Sequence, residues 1–81
     1  ADLIIDKNNE CTVIQAKRYS KPVGNKAVQE VIAAKNYYNC KKAIVISNNT
    51  YTRSAIQLAN KIGVELWDKK KLLNFIHSSQ S

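Results

Sequence analysis

Residues 2–18 read DLIIDKNNECTVIQAKR, and this stretch decides the fold. Two segments rich in β-branched residues, 3–6 and 11–18, flank a polar turn at 7–10 that contains two asparagines. Strand-forming residues on both sides of such a turn predict an antiparallel β-hairpin. The next elements along the chain decide which kind of sheet this hairpin joins.

A helix, a strand and a second helix are predicted after the hairpin. Apolar residues at helical spacing indicate a helix from its cap, Asn25, to about residue 38. Residues 42–47 form a nearly all-apolar segment, which is typical of strands that a parallel sheet buries on both faces. Thr52 is a suitable cap for the second helix, and Gly63 is placed to end it.

A fourth strand is predicted over residues 64–67, followed by a last helix that Asp68 caps and by a frayed tail over 78–81. The order β-β-α-β-α-β-α predicts an α/β fold. Its sheet is small and mixed, with an antiparallel hairpin and parallel strands flanked by helices. The 81 residues, 1–81, suffice for one domain.

Composition excludes several classes of protein. With 44% hydrophobic residues, two glycines and one proline, the chain is neither collagen-like nor a low-complexity linker. Its longest apolar run, near residues 43–46, is too short to cross a membrane. The two cysteines, Cys11 and Cys40, suggest no zinc motif; they are predicted to be reduced core residues of a cytoplasmic protein.

The charge distribution points to a polyanionic partner. Thirteen basic residues against six acidic ones give a net charge of +7. Residues 15–42 carry seven of the bases and a single acid, Glu30, whereas residues 1–14 are net acidic. A basic segment beside carboxylates suits a polyanionic partner that approaches through a carboxylate site; a basic surface without a partner is the alternative.

The hairpin brings candidate catalytic residues together. Gln15 and Lys17 project from the same face of their strand, and a turn centred on the two asparagines places Asp2 opposite Gln15. Asp2, the Gln15 side-chain oxygen and the Ala16 backbone carbonyl are oxygen ligands that suit Mg²⁺ (or Mn²⁺). Lys17 could orient or help deprotonate an attacking water and offset phosphate charge.

The segments DLII at 2–5 and VIQAKRY at 13–19 resemble the catalytic core of Mrr-type restriction endonucleases, in the PD-(D/E)XK nuclease superfamily. The resemblance continues through residues 23–30, 43–52 and 64–67, in order and over nearly the whole chain. It implies a Mg²⁺-dependent endonuclease that hydrolyses DNA phosphodiester bonds by a metal-activated water. It further implies a separate DNA-recognition domain in the parent chain.

Residue by residue, the resemblance makes Asp2 the metal-binding aspartate, Gln15 the second ligand position and Lys17 the motif lysine. It also matches Gln29 to a glutamine that faces the active site from the following helix; a surface position is the alternative for Gln29. The family's core begins with a helix and a strand that precede Asp2, so the chain is predicted to be an Mrr-like catalytic domain truncated at its N-terminus.

Truncation at that point leaves an apolar strand edge at residues 3–5, of the kind that natural proteins protect. The chain is therefore predicted to form a homodimer, in which the N-terminal segment could be exchanged between copies. A non-catalytic nucleic-acid-binding or dimerisation module that retains the nuclease fold is the alternative to the enzyme.

Several polar residues are candidates for DNA contacts. Loop solvation and turn chemistry explain some of them equally well, and a solvated face is the favoured interpretation of the lysine run at 69–71. The predicted DNA-binding residues are Arg18, Tyr19, Ser20, Lys21 and Lys26. The polar residues Ser47, Asn48 and Thr50 follow a strand's carboxyl end, where α/β sheets bind ligands.

Overall fold

The computed structural model describes residues 2–79. Its elements are β1 (Asp2–Lys7), β2 (Glu10–Lys17), α1 (Asn25–Tyr37), β3 (Lys42–Ser47), α2 (Arg53–Ile62), β4 (Val64–Trp67) and α3 (Lys69–Ser79). The four strands form one sheet in the order β1-β2-β3-β4, in which β1 is antiparallel to β2 and the others are parallel. The predicted α/β fold with a mixed sheet is confirmed.

The tail of the chain differs from the prediction. Ser78 and Ser79 belong to α3 instead of a frayed end, and the Ser79 hydroxyl donates to the Phe75 carbonyl at 2.9 Å. The other two residues of the predicted tail, and Ala1, lie outside the described residues.

The hairpin turn fixes the register of β1 on β2. Asn8 and Asn9 both have positive φ, 56° and 66°. Two left-handed residues make the turn type whose twist matches a β-hairpin, and asparagine tolerates this conformation better than most residues. The resulting register pairs Asp2 with Gln15, as predicted.

The core lies between the sheet and helices α1 and α2. Val13 of β2 and Val45 of β3 are fully buried, and Val28 and Val31 of α1 and Ala55 of α2 belong to the same cluster. Because side chains alternate along a strand, the residues at 13, 15 and 17 share the face that α1 covers. Helix α3 contacts β3 and β4 on its side of the sheet.

The helix ends largely follow the predicted caps. Thr52 accepts a hydrogen bond from the Ala55 N–H at 3.1 Å, and Asp68 accepts one from the Lys71 N–H at 2.8 Å. Gly63 ends α2 with φ of 80°, a conformation that glycine adopts without strain.

The predicted cap of α1 is wrong. Gly24 occupies the cap position, and Asn25 is the first residue of the helix. The Asn25 side-chain oxygen instead accepts a hydrogen bond from the Ser54 hydroxyl at 2.9 Å, which ties the start of α1 to α2. A tertiary contact has thus replaced the local one that the sequence predicted.

The prediction that the cysteines are reduced is also wrong, because the structure joins Cys11 to Cys40 in a disulfide. The bond links the start of β2 to the segment between α1 and β3, at the end of β2 remote from Lys17. The adjacent backbone reinforces this link, since the Lys41 N–H donates to the Cys11 carbonyl at 2.8 Å. Among residues 2–79, no helix has the length and apolar character needed to cross a membrane.

Candidate active site

Asp2 and Gln15 are in direct contact on neighbouring strands. The Gln15 amide nitrogen donates a hydrogen bond to an Asp2 carboxylate oxygen at 2.6 Å. The other atom of the same amide, Oε1, is buried and has no hydrogen-bond partner among residues 2–79. A buried carbonyl oxygen without a partner is costly. The amide presents its nitrogen to Asp2, so Oε1 can share a cation with the Asp2 carboxylate once the side-chain amide turns over.

The Lys17 side chain lies on the same face of β2 and pairs with α1. Its ammonium donates to the Glu30 carboxylate at 3.0 Å, with side-chain exposures of 20% for Lys17 and 42% for Glu30. The pair holds Lys17 on the face that carries Gln15. Sequence reasoning missed Glu30, although a signal was present: it is the single acid of the basic segment 15–42 and it directly precedes the core residue Val31.

Gln29, the residue expected at the site from α1, has an exposed position, one residue before Glu30. No hydrogen bond within the described part of the chain joins the Gln29 side chain to Asp2, Gln15 or Lys17. The structure therefore brings together Asp2 and Gln15, and Lys17 with Glu30, and leaves Gln29 beside them on the solvent side of the helix.

The oxygen donors that the sequence predicted are of the kinds that a magnesium-type cation takes together with water. They comprise the Asp2 carboxylate, the buried Gln15 oxygen and the backbone carbonyl of Ala16, which follows Gln15 in β2. No group of three or more His, Cys, Asp or Glu side chains converges within residues 2–79. Such a donor set suits Mg²⁺, which is often bound by one or two carboxylates together with water and substrate phosphates.

Two asparagines after β3 hold the loop that follows β2. The Asn48 side chain accepts from the Tyr19 N–H at 2.9 Å and donates to the Tyr19 carbonyl at 3.2 Å. Asn49 donates to the same carbonyl, also at 3.2 Å. These bonds fix the backbone of the loop between β2 and α1, whose residues Arg18, Tyr19, Ser20 and Lys21 are exposed.

The far end of that loop is fixed as well. Val23 forms a short parallel bridge with Tyr51. The Val23 N–H donates to the Thr50 carbonyl at 2.8 Å, and the Thr52 N–H donates to the Val23 carbonyl at 2.9 Å. The predicted DNA-contact residue Lys26 follows on the exposed side of the first turn of α1. The basic residues around the site thus stand on a backbone that is anchored at both ends.

The Tyr51 hydroxyl links the carboxyl ends of two strands. It lies 3.0 Å from the Val45 carbonyl and 2.7 Å from the Trp67 carbonyl, and its proton can serve one of them at a time. Burial, followed by the nearby Asp68 charge, raises the pKa of Tyr51 to about 12. Tyr51 therefore acts as a structural hydrogen-bond donor between β3 and β4.

Comparison with known proteins identifies the family. A family model described as restriction endonuclease, the Mrr catalytic family, matches residues 1–76. A solved structure, the DNA modification-dependent restriction endonuclease AspBHI, superposes with a TM-score of 0.70 at 19% sequence identity. That superposition covers 99% of this chain and 22% of AspBHI, and it shows the fold. No curated protein matches the chain.

The chain belongs to the Mrr-type restriction endonuclease catalytic family, because the match extends over nearly all of its residues. This confirms the resemblance that the hairpin sequence suggested. The chain spans about a fifth of the length of AspBHI.

Proposed function

We propose that the chain is the catalytic domain of a restriction-type endonuclease that hydrolyses DNA phosphodiester bonds with Mg²⁺ or Mn²⁺. The observation that carries the proposal is the 2.6 Å contact between Asp2 and Gln15 on the face of the hairpin that also bears Lys17. Family membership supplies the class of substrate, and these residues supply a place for the chemistry.

Asp2, the Gln15 Oε1 atom and the Ala16 carbonyl are the residues proposed to hold the cation. When bound, the cation polarises the phosphate and makes a water a better nucleophile at neutral pH. Gln15 contributes a dipole where a glutamate would contribute a charge, so Asp2 provides the full negative charge of this donor set. Loss of the Asp2 carboxylate is therefore expected to affect metal binding more than any other change.

Lys17 is proposed to orient the attacking water and to offset the negative charge that develops on the phosphate. Glu30 is a positioning residue, because its carboxylate receives the Lys17 ammonium at 3.0 Å and limits the rotamers that this flexible side chain samples. The role proposed for Gln29 is a contact with substrate from the solvent side of α1, where its side chain is exposed.

DNA is the proposed partner, contacted by the anchored loop and the start of α1. Arg18, Lys21 and Lys26 would face phosphates, and the exposed Tyr19 and Ser20 would add polar contacts. Phosphate contacts by lysine and arginine release counterions, so the affinity for DNA is expected to fall steeply with salt.

The larger protein and its setting are proposed from the comparisons. AspBHI is described as DNA modification-dependent, and we propose that recognition of sequence or modification likewise lies in a separate domain of a longer chain. The cytoplasm is the proposed site of action. A homodimer is proposed because β1 presents an exposed apolar edge.

Nicking of supercoiled plasmid DNA tests the proposed enzyme. Cleavage is expected with Mg²⁺ or Mn²⁺ and not with EDTA, and Asp2→Ala and Lys17→Ala should each abolish it while circular dichroism shows unchanged helix content. Cleavage that persists in both variants would contradict the proposed site. DNA binding without any metal-dependent cleavage would favour the alternative, a non-catalytic module that retains the nuclease fold.

A further inference from the structure

A cleft of about 390 Å³ opens at the carboxyl ends of β2 and β3, beside the start of α3. Its floor is apolar, formed by Ala16, Ile46 and Leu72. Polar and basic residues surround that floor: Lys17, Arg18, Ser47, Asn48 and Lys69.

The cleft lies on the opposite face of the sheet from the Asp2–Gln15 contact. Ala16 pairs with Ile46 across the β2–β3 register, and both alternate with the residues that face α1. Lys17 nevertheless lines the cleft while its ammonium pairs with Glu30. The cleft and the candidate active site therefore adjoin at the carboxyl end of β2.

The charge of the cleft selects an anionic occupant. Arg18 and Lys69 contribute two positive charges, the Lys17 ammonium is paired with Glu30, and none of the lining residues is acidic. The acid next to Lys69 in the chain, Asp68, is engaged as the α3 cap through the Lys71 N–H. An apolar peptide would leave Arg18 and Lys69 without an anionic partner, whereas a nucleotide offers both a phosphate for the rim and a sugar or base for the floor.

The lysines at the start of α3, residues 69–71, have different surroundings. Lys71 is occupied elsewhere, 5.3 Å from the centre of the Trp67 ring and 4.0 Å from a Glu65 oxygen. Lys69 lines the cleft instead. Cations at a helix N-terminus are disfavoured by the helix dipole, and an anion held in the cleft would offset this cost at Lys69.

We propose that this cleft binds the DNA nucleotide adjacent to the scissile phosphate, with Arg18 and Lys69 on its phosphate and the apolar floor against its sugar or base. The proposal rests on the proposed function, since it takes DNA as the substrate. It adds a second contact region, on the α3 side of the sheet, to the loop residues near the active site.

Binding of a short DNA duplex in EDTA, measured over a series of salt concentrations, tests the proposal without cleavage. Lys69→Ala is expected to reduce the slope of log affinity against log salt by about one unit. Lys61→Ala, which removes an exposed lysine from the last turn of α2, is the matched control and should change the slope less. Backbone amide shifts in ¹⁵N spectra should cluster at Ile46, Ser47 and Lys69 when the same duplex is added.

Equal slopes for the two variants, with no amide shifts at the cleft, would overturn the cleft proposal and leave DNA binding at the loop intact. Absence of DNA binding by the unsubstituted chain would overturn both proposals. Amide shifts at the cleft that change with protein concentration in the absence of DNA would show that a second copy of the chain occupies the cleft. That result would also overturn the role of the cleft as a nucleotide site.

Discussion

The Lys17 ammonium lies 3.0 Å from the Glu30 carboxylate, so the ion pair joins β2 to α1 beside the candidate active site. Both side chains are partly exposed, and pairs of this kind contribute about 1 kcal/mol or less to stability. The proposed role of the pair is to position a side chain, because it holds the Lys17 side chain near Asp2 and Gln15.

Substitution of Glu30 is expected to lower the turnover of DNA cleavage without unfolding the domain. Glu30→Ala should reduce kcat by roughly tenfold to a hundredfold with little change in KM, since a misplaced group costs about that much. Glu30→Gln keeps an acceptor oxygen for Lys17 and should retain more activity. Gln29→Ala, assayed in parallel, measures the role that the family resemblance gives to its neighbour. Unaltered kcat in Glu30→Ala would contradict the positioning role.

The Asn48 side chain is expected to control DNA binding through the loop it holds. Asn48→Ala removes two bonds to the Tyr19 backbone and should weaken DNA affinity by about threefold to tenfold, with a stability loss of about 1–2 kcal/mol. Asn48→Asp keeps the acceptor for the Tyr19 N–H, so its DNA affinity should lie between those of Asn48→Ala and the unsubstituted chain. Asn60→Ala, on an exposed position of α2, is the control. Affinity that stays constant in all three variants would show that the loop needs no such support.

Tyr51 is expected to make the domain sensitive to alkaline pH. Its pKa is about 12 in the folded chain against 10.0 ordinarily, so the folded state holds this proton more tightly than the unfolded chain. The contribution of this pKa difference to the free energy of unfolding is fully present below about pH 10 and is lost as the pH rises toward 12. Tyr51→Phe should cost about 1–2 kcal/mol at neutral pH and show a smaller alkaline loss. Urea unfolding of this variant and of the exposed Tyr37→Phe would show the difference, and identical pH profiles would contradict it.

The β1 edge is expected to mediate self-association. All six residues of β1 are exposed, including Leu3 at 56% and Ile5 at 46%. Sedimentation equilibrium should give a mass near twice 9.1 kDa, and Ile5→Lys should shift the chain toward monomer because a charged edge resists strand pairing. Ile56→Lys changes an equally exposed isoleucine on α2 and should leave the mass unchanged. A monomer at high concentration would rule out this interface.

Much of the fold and the central contact of the site could be predicted from local patterns. The two asparagines at the turn determine the register, and the register places Asp2 opposite Gln15. Features that depend on tertiary packing escaped prediction. Asn25 accepts a hydrogen bond from Ser54 of α2 instead of capping its own helix. Cys11 of β2 and Cys40 after α1 come together only because α1 packs against β2.

The same limit explains Glu30. Whether residue 29 or 30 faces β2 depends on the rotation of α1 about its axis, which its buried residues Ala27, Val31 and Ala34 determine. The family resemblance predicted a site residue at Gln29, whereas packing of the helix places the Glu30 carboxylate against Lys17.

The central claim is that Asp2, with Gln15, holds the catalytic cation, and binding of Mn²⁺ followed by electron paramagnetic resonance tests it most directly. The unsubstituted chain should bind Mn²⁺, and Asp2→Ala should weaken binding by about tenfold or more, since a carboxylate at about 4 Å from a divalent cation contributes roughly 2 kcal/mol even in water. Asp6→Ala removes a carboxylate from the same face and the other end of β1 and serves as the control. Weaker binding in Asp2→Ala alone is the predicted result; equal affinities in the three proteins would contradict the account.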